Sequence, residues 1–373
     1  MNDRSRLHPG AVAAGFALEG KILRIEPFGG GHINDTFKVQ TGSPARPRSY
    51  LLQRINRFVF EAPERVMANI ARVTAHLRAK IAAEGGDPDR ETLTVVPAGN
   101  GAAWLRDGHN EYWRTFLFIE GAQACNIAGQ RDQAYHAARA FGRFQRMLAD
   151  VDPAELHETI PGFHNTPMRM GRLVEAVEAD PCGRAGQARP EIDFALARDA
   201  DCALLTDIAA SSNAPLRVVH NDTKLDNVLI DTSTGKGLCV IDLDTVMPGL
   251  SMHDFGDCCR SAVNPAAEDE RDLSKVRADL GLFEHIAAGF VSEAGGLLRQ
   301  AELDALAMSA KILTLEQGIR FLTDYLLGDV YYRVSRPAHN LDRCRVQFAL
   351  AEDMERKMDR MRRLVASRIP PRD

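Results

Sequence analysis

The run His220-Asn221-Asp222-Thr223-Lys224-Leu225-Asp226-Asn227 constrains this chain more than any other segment, because apolar stretches close it on both sides: Arg217-Val218-Val219 before it and Val228-Leu229-Ile230 after it. Polar residues this dense cannot be buried in regular structure, so they belong on a loop whose ends are pinned by short strands. A third extended run, Leu238-Cys239-Val240-Ile241, then delivers Asp242, twenty positions after Asp222. The surroundings are helical. Ala134, Ala137, Ala138, Phe141, Phe144 and Leu148 form an apolar stripe at helical spacing, and helical patterns cover 191–210, 273–294, 302–327 and 341–365. The chain must therefore embed a strand-rich loop region in a helical lobe.

The first hundred and twenty residues have a different character. Ile22-Leu23-Arg24-Ile25 and Thr36-Phe37-Lys38-Val39-Gln40 flank a glycine cluster and predict a hairpin. Tyr50-Leu51-Leu52-Gln53-Arg54-Ile55 predicts a third strand, while 93–96 and 112–118 supply two more. Between them Val66, Ile70, Val73, Leu77 and Ile81 predict a helix over 63–83. Glu120-Gly121-Ala122-Gln123 reads as a linker. The expected fold class is α+β, with a small antiparallel-sheet lobe over 1–119 and a mainly helical lobe over 120–373. A length of 373 residues suits two cores rather than one.

Composition closes off several classes of function. With 45% hydrophobic and 26% charged residues and a net charge of −5, the chain has no basic excess for a phosphate backbone, so nucleic acid is not an expected partner. No apolar run reaches membrane-spanning length and the first twenty residues lack a signal-like apolar core, so a cytoplasmic protein without a membrane partner is expected. Seven scattered cysteines, never spaced CxxC, point to reduced thiols rather than a zinc site or a disulfide framework.

The loop has the spacing HxDxxxxN, and phosphoryl transfer accounts for all of its polar positions together with Asp242. One carboxylate must orient or accept the proton of an attacking hydroxyl, and an amide and a second carboxylate must hold Mg²⁺ against a triphosphate such as ATP. Asp222 is the candidate base; Asn227 and Asp242 are the candidate metal ligands, their oxygens suited to Mg²⁺. A lone HxD is more often a turn cap, and it is the full set at this spacing that points to chemistry. His220 is expected to brace the loop. Asp244 reads either as a further metal contact or as a turn cap. Lys224 reads either as the cation that neutralises the γ-phosphate or as a surface lysine. Gly29, Gly30, Gly31, His32, Asn34 and Thr36 lie between the first two strands, where glycines let backbone amides approach phosphates. This segment lacks the GK[ST] ending of a P-loop and does not open a helix as a dinucleotide fingerprint would.

These residues resemble the aminoglycoside phosphotransferase and choline kinase superfamily over nearly the whole chain, which implies a two-lobed protein-kinase-like fold. Within it, Gly30-Gly-His-Ile-Asn-Asp-Thr-Phe37, Leu52-Gln-Arg-Ile-Asn56, Ile241-Asp-Leu-Asp-Thr245, Asp254-Phe-Gly-Asp257, Gly318-Ile-Arg-Phe-Leu-Thr-Asp-Tyr325 and Gly328-Asp-Val-Tyr-Tyr332 look like the N-acetylhexosamine 1-kinase group. That resemblance implies transfer of the ATP γ-phosphoryl group to the anomeric hydroxyl of N-acetylglucosamine or N-acetylgalactosamine. Asp222 would then contact that hydroxyl, and Thr245, Arg320 and Tyr331 would line the sugar pocket. Related enzymes with the same triad act on homoserine, choline or aminoglycosides, and a silent nucleotide-binding module is a further alternative. One departure stands out: many kinases align the phosphates with a strand lysine and a helix glutamate, whereas here the strand offers Gln53 and Arg54 and the helix Asn69. Either a neutral Gln53–Asn69 pair replaces the ion pair, or Arg54 takes the phosphate role.

Overall fold

In the computed structural model, which describes residues 8–29, 33–126, 131–211 and 214–369, the chain divides into two units. The first takes Met1–Ala122, Ala154–Ile160 and Leu238–Met247; the second takes Gln123–Pro153, Pro161–Gly237 and Pro248–Asp373. The sheet unit thus recruits two later segments that the sequence boundary at 119/120 leaves with the helical part. The fold class is α+β, an antiparallel sheet in one unit and mainly helices in the other.

The first unit opens with a short helix α1 (Pro9–Ala13) and strands β1 (Ile22–Pro27), β2 (Asp35–Ser43) and β3 (Arg46–Arg54). Helices α2 (Pro63–Ala83) and α3 (Pro88–Glu91) and strands β4 (Val95–Val96), β5 (Leu105–Arg106) and β6 (Tyr112–Leu117) follow. The sheet runs β1-β2-β3-β6-β4, with β5 also on β6. Period-two alternation turns Val39, Tyr50, Leu52 and Trp113 to one face, where they are buried with Val12, Phe16 and Val96. The register aligns Thr36, Gln53 and Arg114 on three neighbouring strands, so these polar residues share a face. Met67 of α2 lies 4.0 Å from the Arg114 guanidinium on that side. Helix α2 begins on a proline, carries Glu64 in its first turn and Lys80 in its last, and buries Val66, Ile70, Val73, Leu77 and Ile81.

The second unit is built from α4 (Arg131–Met147), α5 (Thr166–Ala179), α6 (Arg189–Leu196), α7 (Asp199–Cys202), α8 (Leu204–Ala210), α9 (Ser251–Ala262), α10 (Leu280–Ala294), α11 (Gln300–Leu326) and α12 (His339–Ala366). Helix α11 is buried along most of its length and packs against α5, α9 and α12. Part of its core holds Met170, Leu173, Ile192, Ile319, Leu322 and Phe348. Helices α4 and α10 meet backbone to backbone: a Cβ on Gly142 would sit 2.6 Å from the Phe290 carbonyl oxygen, and one on Gly289 would strike that of Tyr135. The helix expected over 191–210 is three short ones. The helix expected from 273 starts at Leu280, where the Asp279 carboxylate caps the amides of Gly281 and Leu282. The segment read as a linker continues into the strand Ala122–Ala124. Among the described residues no helix is long and apolar enough to cross a membrane, and the seven cysteines are free thiols, six of them buried.

Candidate active site

The motif loop belongs to the second unit. The strand Arg217–Val219 leads into it, and Arg217 is tied to Glu302 of α11, Nη2 to Oε2 at 2.9 Å. A 3-10 turn, Leu225–Asn227, closes it before the strand Val228–Asp231. Asp254 of α9 holds the loop from beneath. Its carboxylate accepts the amides of His220 (3.0 Å) and Asn221 (2.7 Å) and the side-chain amide of Gln145 (2.7 Å), while its carbonyl accepts the Thr223 hydroxyl (2.5 Å). His220 is fully buried edge-on to Phe141 and Phe144, and its Nδ1 accepts the amide of Asp222 at 3.3 Å.

Asn221 adopts a left-handed conformation, φ 67°, which few non-glycine residues tolerate and which turns the chain immediately before Asp222. The Asp222 carboxylate receives Asn227 Nδ2 at 3.0 Å and Lys224 Nζ at 3.1 Å. Burial alone would raise its pKa. The charge of Lys224, its hydrogen bond and the more distant Arg260 outweigh that and hold the carboxyl below the ordinary aspartate value. Asn227 spends its amide nitrogen on Asp222, which leaves its Oδ1 as the atom able to face a cation. Lys224 also borders a cavity of about 320 Å³, lined with Cys125, Asp226, Arg260, Ser261 and Glu268 among others.

Arg320 and Tyr331 lie in the same unit. Arg320 is sandwiched between the rings of Phe163 (5.0 Å) and Tyr332 (5.8 Å) and donates to Gln317 Oε1 at 3.2 Å. Tyr331 is 44% exposed and meets Tyr332 edge-on. Tyr332 is the more buried aromatic against Arg320, and sequence reasoning passed over it along with Phe163. Both tyrosines are presented by Asp324, whose carboxylate accepts the amides of Val330, Tyr331 and Tyr332 at 2.8–3.0 Å. Arg169 adds a second, half-buried guanidinium, with its Nε unpartnered and its pKa lowered by burial and by Arg320. Among the described residues neither Arg169 nor Arg320 has a carboxylate within ion-pair distance.

In the first unit the expected Gln53–Asn69 pair does not form. Asn69 donates to the carbonyls of His157 (2.7 Å) and Val246 (2.9 Å) and accepts the amide of His157. Gln53 instead donates to Thr36 (3.1 Å) and accepts from Arg114 Nε (2.9 Å). Arg54, on the opposite face as strand alternation requires, is taken by Asp35 (3.0 Å) and Glu111 (3.4 Å). The buried cation behind Gln53 is Arg114, which sequence reasoning missed: it is 2% exposed and donates through Nη1 to Asp244 Oδ1. The signal was a charged residue inside the aromatic-rich strand Tyr112-Trp113-Arg114-Thr115-Phe116.

Asp244 accepts Asn34 Nδ2 on its other oxygen at 2.8 Å. Both of its oxygens thus accept protein donors, and through Asn34 it anchors the segment around that residue. Asn34 Oδ1 in turn accepts the amide of Asn56 at 3.0 Å. Asp242 is held left-handed, φ 61°, ahead of the turn Leu243–Thr245, and Thr245 is buried. Gly29 has φ 72° and open space where a side chain would be; Gly30, Gly31 and His32 lie outside the described residues. Among the described residues no three His, Cys, Asp or Glu side chains cluster as a metal cage.

The model of the phosphotransferase enzyme family matches residues 24–288. The chain belongs to that family. Solved structures similar to this phosphotransferase span nearly its full length at low identity. An aminoglycoside phosphotransferase from Alicyclobacillus acidocaldarius is 14% identical, covers 97% of each chain and has a TM-score of 0.63. The amicoumacin kinase hAmiN, in complex with AMP-PNP, Ca²⁺ and Ami, is 12% identical, covers 100% of this chain and 96% of its own, and scores 0.56. A choline kinase from Cryptosporidium parvum is 11% identical over 96% of this chain and 97% of its own, at 0.52. At these identities the likeness is one of fold, which is the protein-kinase-like fold of the aminoglycoside phosphotransferase and choline kinase superfamily. Membership of the family makes its reaction phosphoryl transfer.

Proposed function

We propose that this phosphotransferase moves the γ-phosphoryl group of ATP, as its Mg²⁺ complex, to the anomeric hydroxyl of an N-acetylhexosamine, giving the sugar 1-phosphate and ADP. The hydroxyl oxygen forms the new P–O bond, the bond to the β-phosphate bridge breaks, and the hydroxyl proton passes toward Asp222. Held ionised by Lys224 and oriented by Asn227, Asp222 acts by aiming the hydroxyl more than by strength as a base. Asn227 Oδ1 and Asp242 are the proposed Mg²⁺ ligands; the ion when bound supplies charge neutralisation at the phosphates. Lys224 adds positive charge beside Asp222, where it can offset charge on the γ-phosphate. The backbone of Gly29, Gly30, Gly31 and His32 is assigned to the phosphates. Asn34, Thr36, Gln53 and Arg54 support that segment through the contacts they make within the sheet, in place of direct phosphate roles.

One observation carries the choice of acceptor: the aromatic-walled guanidinium of Arg320, with Arg169 behind it and no carboxylate paired to either. A cationic acceptor such as choline or an aminoglycoside would meet like charge there, whereas the carbonyl and hydroxyl oxygens of an N-acetylated sugar can accept from the arginine fork. Thr245, Arg320 and Tyr331 are the proposed sugar contacts, with Tyr332 and Phe163 as the walls that hold Arg320. The test is kcat/KM with Mg-ATP across N-acetylglucosamine, N-acetylgalactosamine, homoserine, choline and kanamycin. The N-acetylhexosamines are expected to lead; turnover of choline or kanamycin with none of either sugar would overturn the assignment.

A further inference from the structure

Directly behind the motif loop lies a buried charged pair that the proposed chemistry does not use. His164, in the segment ahead of α5, places Nε2 2.7 Å from the carbonyl oxygen of Asn221 and Nδ1 2.8 Å from Glu316 Oε1 of α11. The second Glu316 oxygen accepts the Thr166 hydroxyl at 2.7 Å. A carbonyl oxygen can only accept, so Nε2 carries a hydrogen; a carboxylate accepts likewise, so Nδ1 carries one too. Both side chains are almost wholly enclosed. A ring donating from both nitrogens is an imidazolium, and its charge is balanced by the Glu316 carboxylate.

The carbonyl it grips belongs to the residue forced into a left-handed turn before Asp222. Asn221 is clamped at both ends, its amide by Asp254 of α9 and its carbonyl by His164. On α11, Arg320 stands one turn beyond Glu316. We infer that His164 and Glu316 form a charged strut that fixes the peptide preceding Asp222 and couples the aim of Asp222 to α11, the helix that carries the proposed acceptor contact Arg320. His164 is thus a positioning residue, acting through the loop backbone. The inference rests on the reading of Asp222 as the group that orients the hydroxyl.

The groups facing the ring are consistent with a retained charge. Glu316 approaches from α11, and His253 and Asp257 from α9. Burial opposes protonation of His164, but Glu316, by charge and by hydrogen bond, and then Asp257 outweigh it and raise its pKa. Glu316 is held down to about 2 despite its burial, His164 being the main cause. His253, with its ring centroid 5.1 Å from that of His164, is pushed down to about 3 by burial and by the His164 charge, so it stays neutral beside it. The imidazolium is present at low pH and is lost only as pH rises through its raised value. A kcat that depends on the strut therefore declines on the alkaline side of the ordinary histidine value of 6.5.

Two measurements test the strut. Nitrogen NMR of the imidazole in the wild-type protein should show the ring mainly protonated on both nitrogens at pH 6.5, the ordinary histidine value; a mainly neutral tautomer at that pH overturns it. In H164L, kcat should fall roughly a hundredfold with the KM for ATP within about twofold of wild type, because a displacement of about an ångström misaligns the hydroxyl without touching nucleotide contacts. H164Q, which keeps a donor for the Asn221 carbonyl, should recover part of that loss and abolish the alkaline decline. Wild-type kcat in H164L, or a loss matched by an equal loss of ATP binding, overturns the inference. If H164L does not fold, the NMR result alone decides. Failure of the Asp222 reading is distinguishable, since it appears as turnover surviving in D222N, whatever the state of His164.

Discussion

At the scale of single residues, the candidate site is a set of side chains whose electrostatics are fixed by near neighbours. Asp222 is ionised because Lys224 lies 3.1 Å from it, and it is aimed because Asn227 donates to it and Asn221 is clamped behind it. Replacing it as D222N removes the negative acceptor while keeping size and shape. We expect kcat to fall by about 10²- to 10⁴-fold with Mg-ATP affinity, read by calorimetry, essentially unchanged; equal turnover in the variant would remove Asp222 from the chemistry. The contacts of the motif were legible because its spacing is local: Asp222, Lys224 and Asn227 meet within one loop. Arg114 was not legible in the same way, because its partner Asp244 lies 130 positions away and nothing in the strand announces a long-range ion pair. Separations of 33, 57 and 152 positions likewise hid the contacts of Asp254 and His164 with Asn221 and of Glu316 with His164, which exist only once α9 and α11 are packed against the loop. The proposed Gln53–Asn69 pair failed for a register reason: Gln53 faces Thr36 and Arg114 across the sheet, and those nearer partners satisfy it first.

At the scale of elements, strands with clean alternation and helices with one apolar face could be read directly. Helix α2 carries its stripe from Val66 to Ile81 and spans the predicted residues 63–83. Helix α9 could not be read, because it is buried on nearly every side and mixes His253, Asp254 and Asp257 with Phe255, Cys258 and Cys259, which erases the 3.6-residue contrast. Polar residues on such a helix are there for the loop it supports. The α4–α10 contact has a sharper requirement: Gly289 faces the Tyr135 carbonyl and Gly142 faces that of Phe290, so neither helix has room for a Cβ at the crossing. G289A should destabilise the protein by about 1–3 kcal/mol, measured by urea unfolding, through forced separation of the two helices; unchanged stability would mean that the crossing can relax at no cost. Because α4 also supplies Gln145 to Asp254, kcat in G289A is a sensitive secondary readout of how firmly the loop is held.

At the scale of the whole molecule, the division into a sheet unit and a helical unit follows from sequence, since strand periodicity dominates the first hundred and twenty residues and helical periodicity most of the rest. Less predictable was that segments 154–160 and 238–247 join the sheet unit, carrying Asp242 and Thr245 with them, because hydrophobic pattern marks an element without saying which core receives it. Membership of the phosphotransferase enzyme family fixes the type of reaction, and the proposed preference for a neutral, oxygen-rich acceptor over a cation rests on Arg320 and Arg169 of the helical unit. The anomeric position is the most specific part of the account and has a direct readout. Incubation of the protein with Mg-ATP and N-acetylglucosamine or N-acetylgalactosamine, followed by phosphorus NMR of the products, should show ADP and a sugar phosphate whose phosphorus couples to the anomeric proton. A 6-phosphate, or ATP left intact with both sugars, would contradict it.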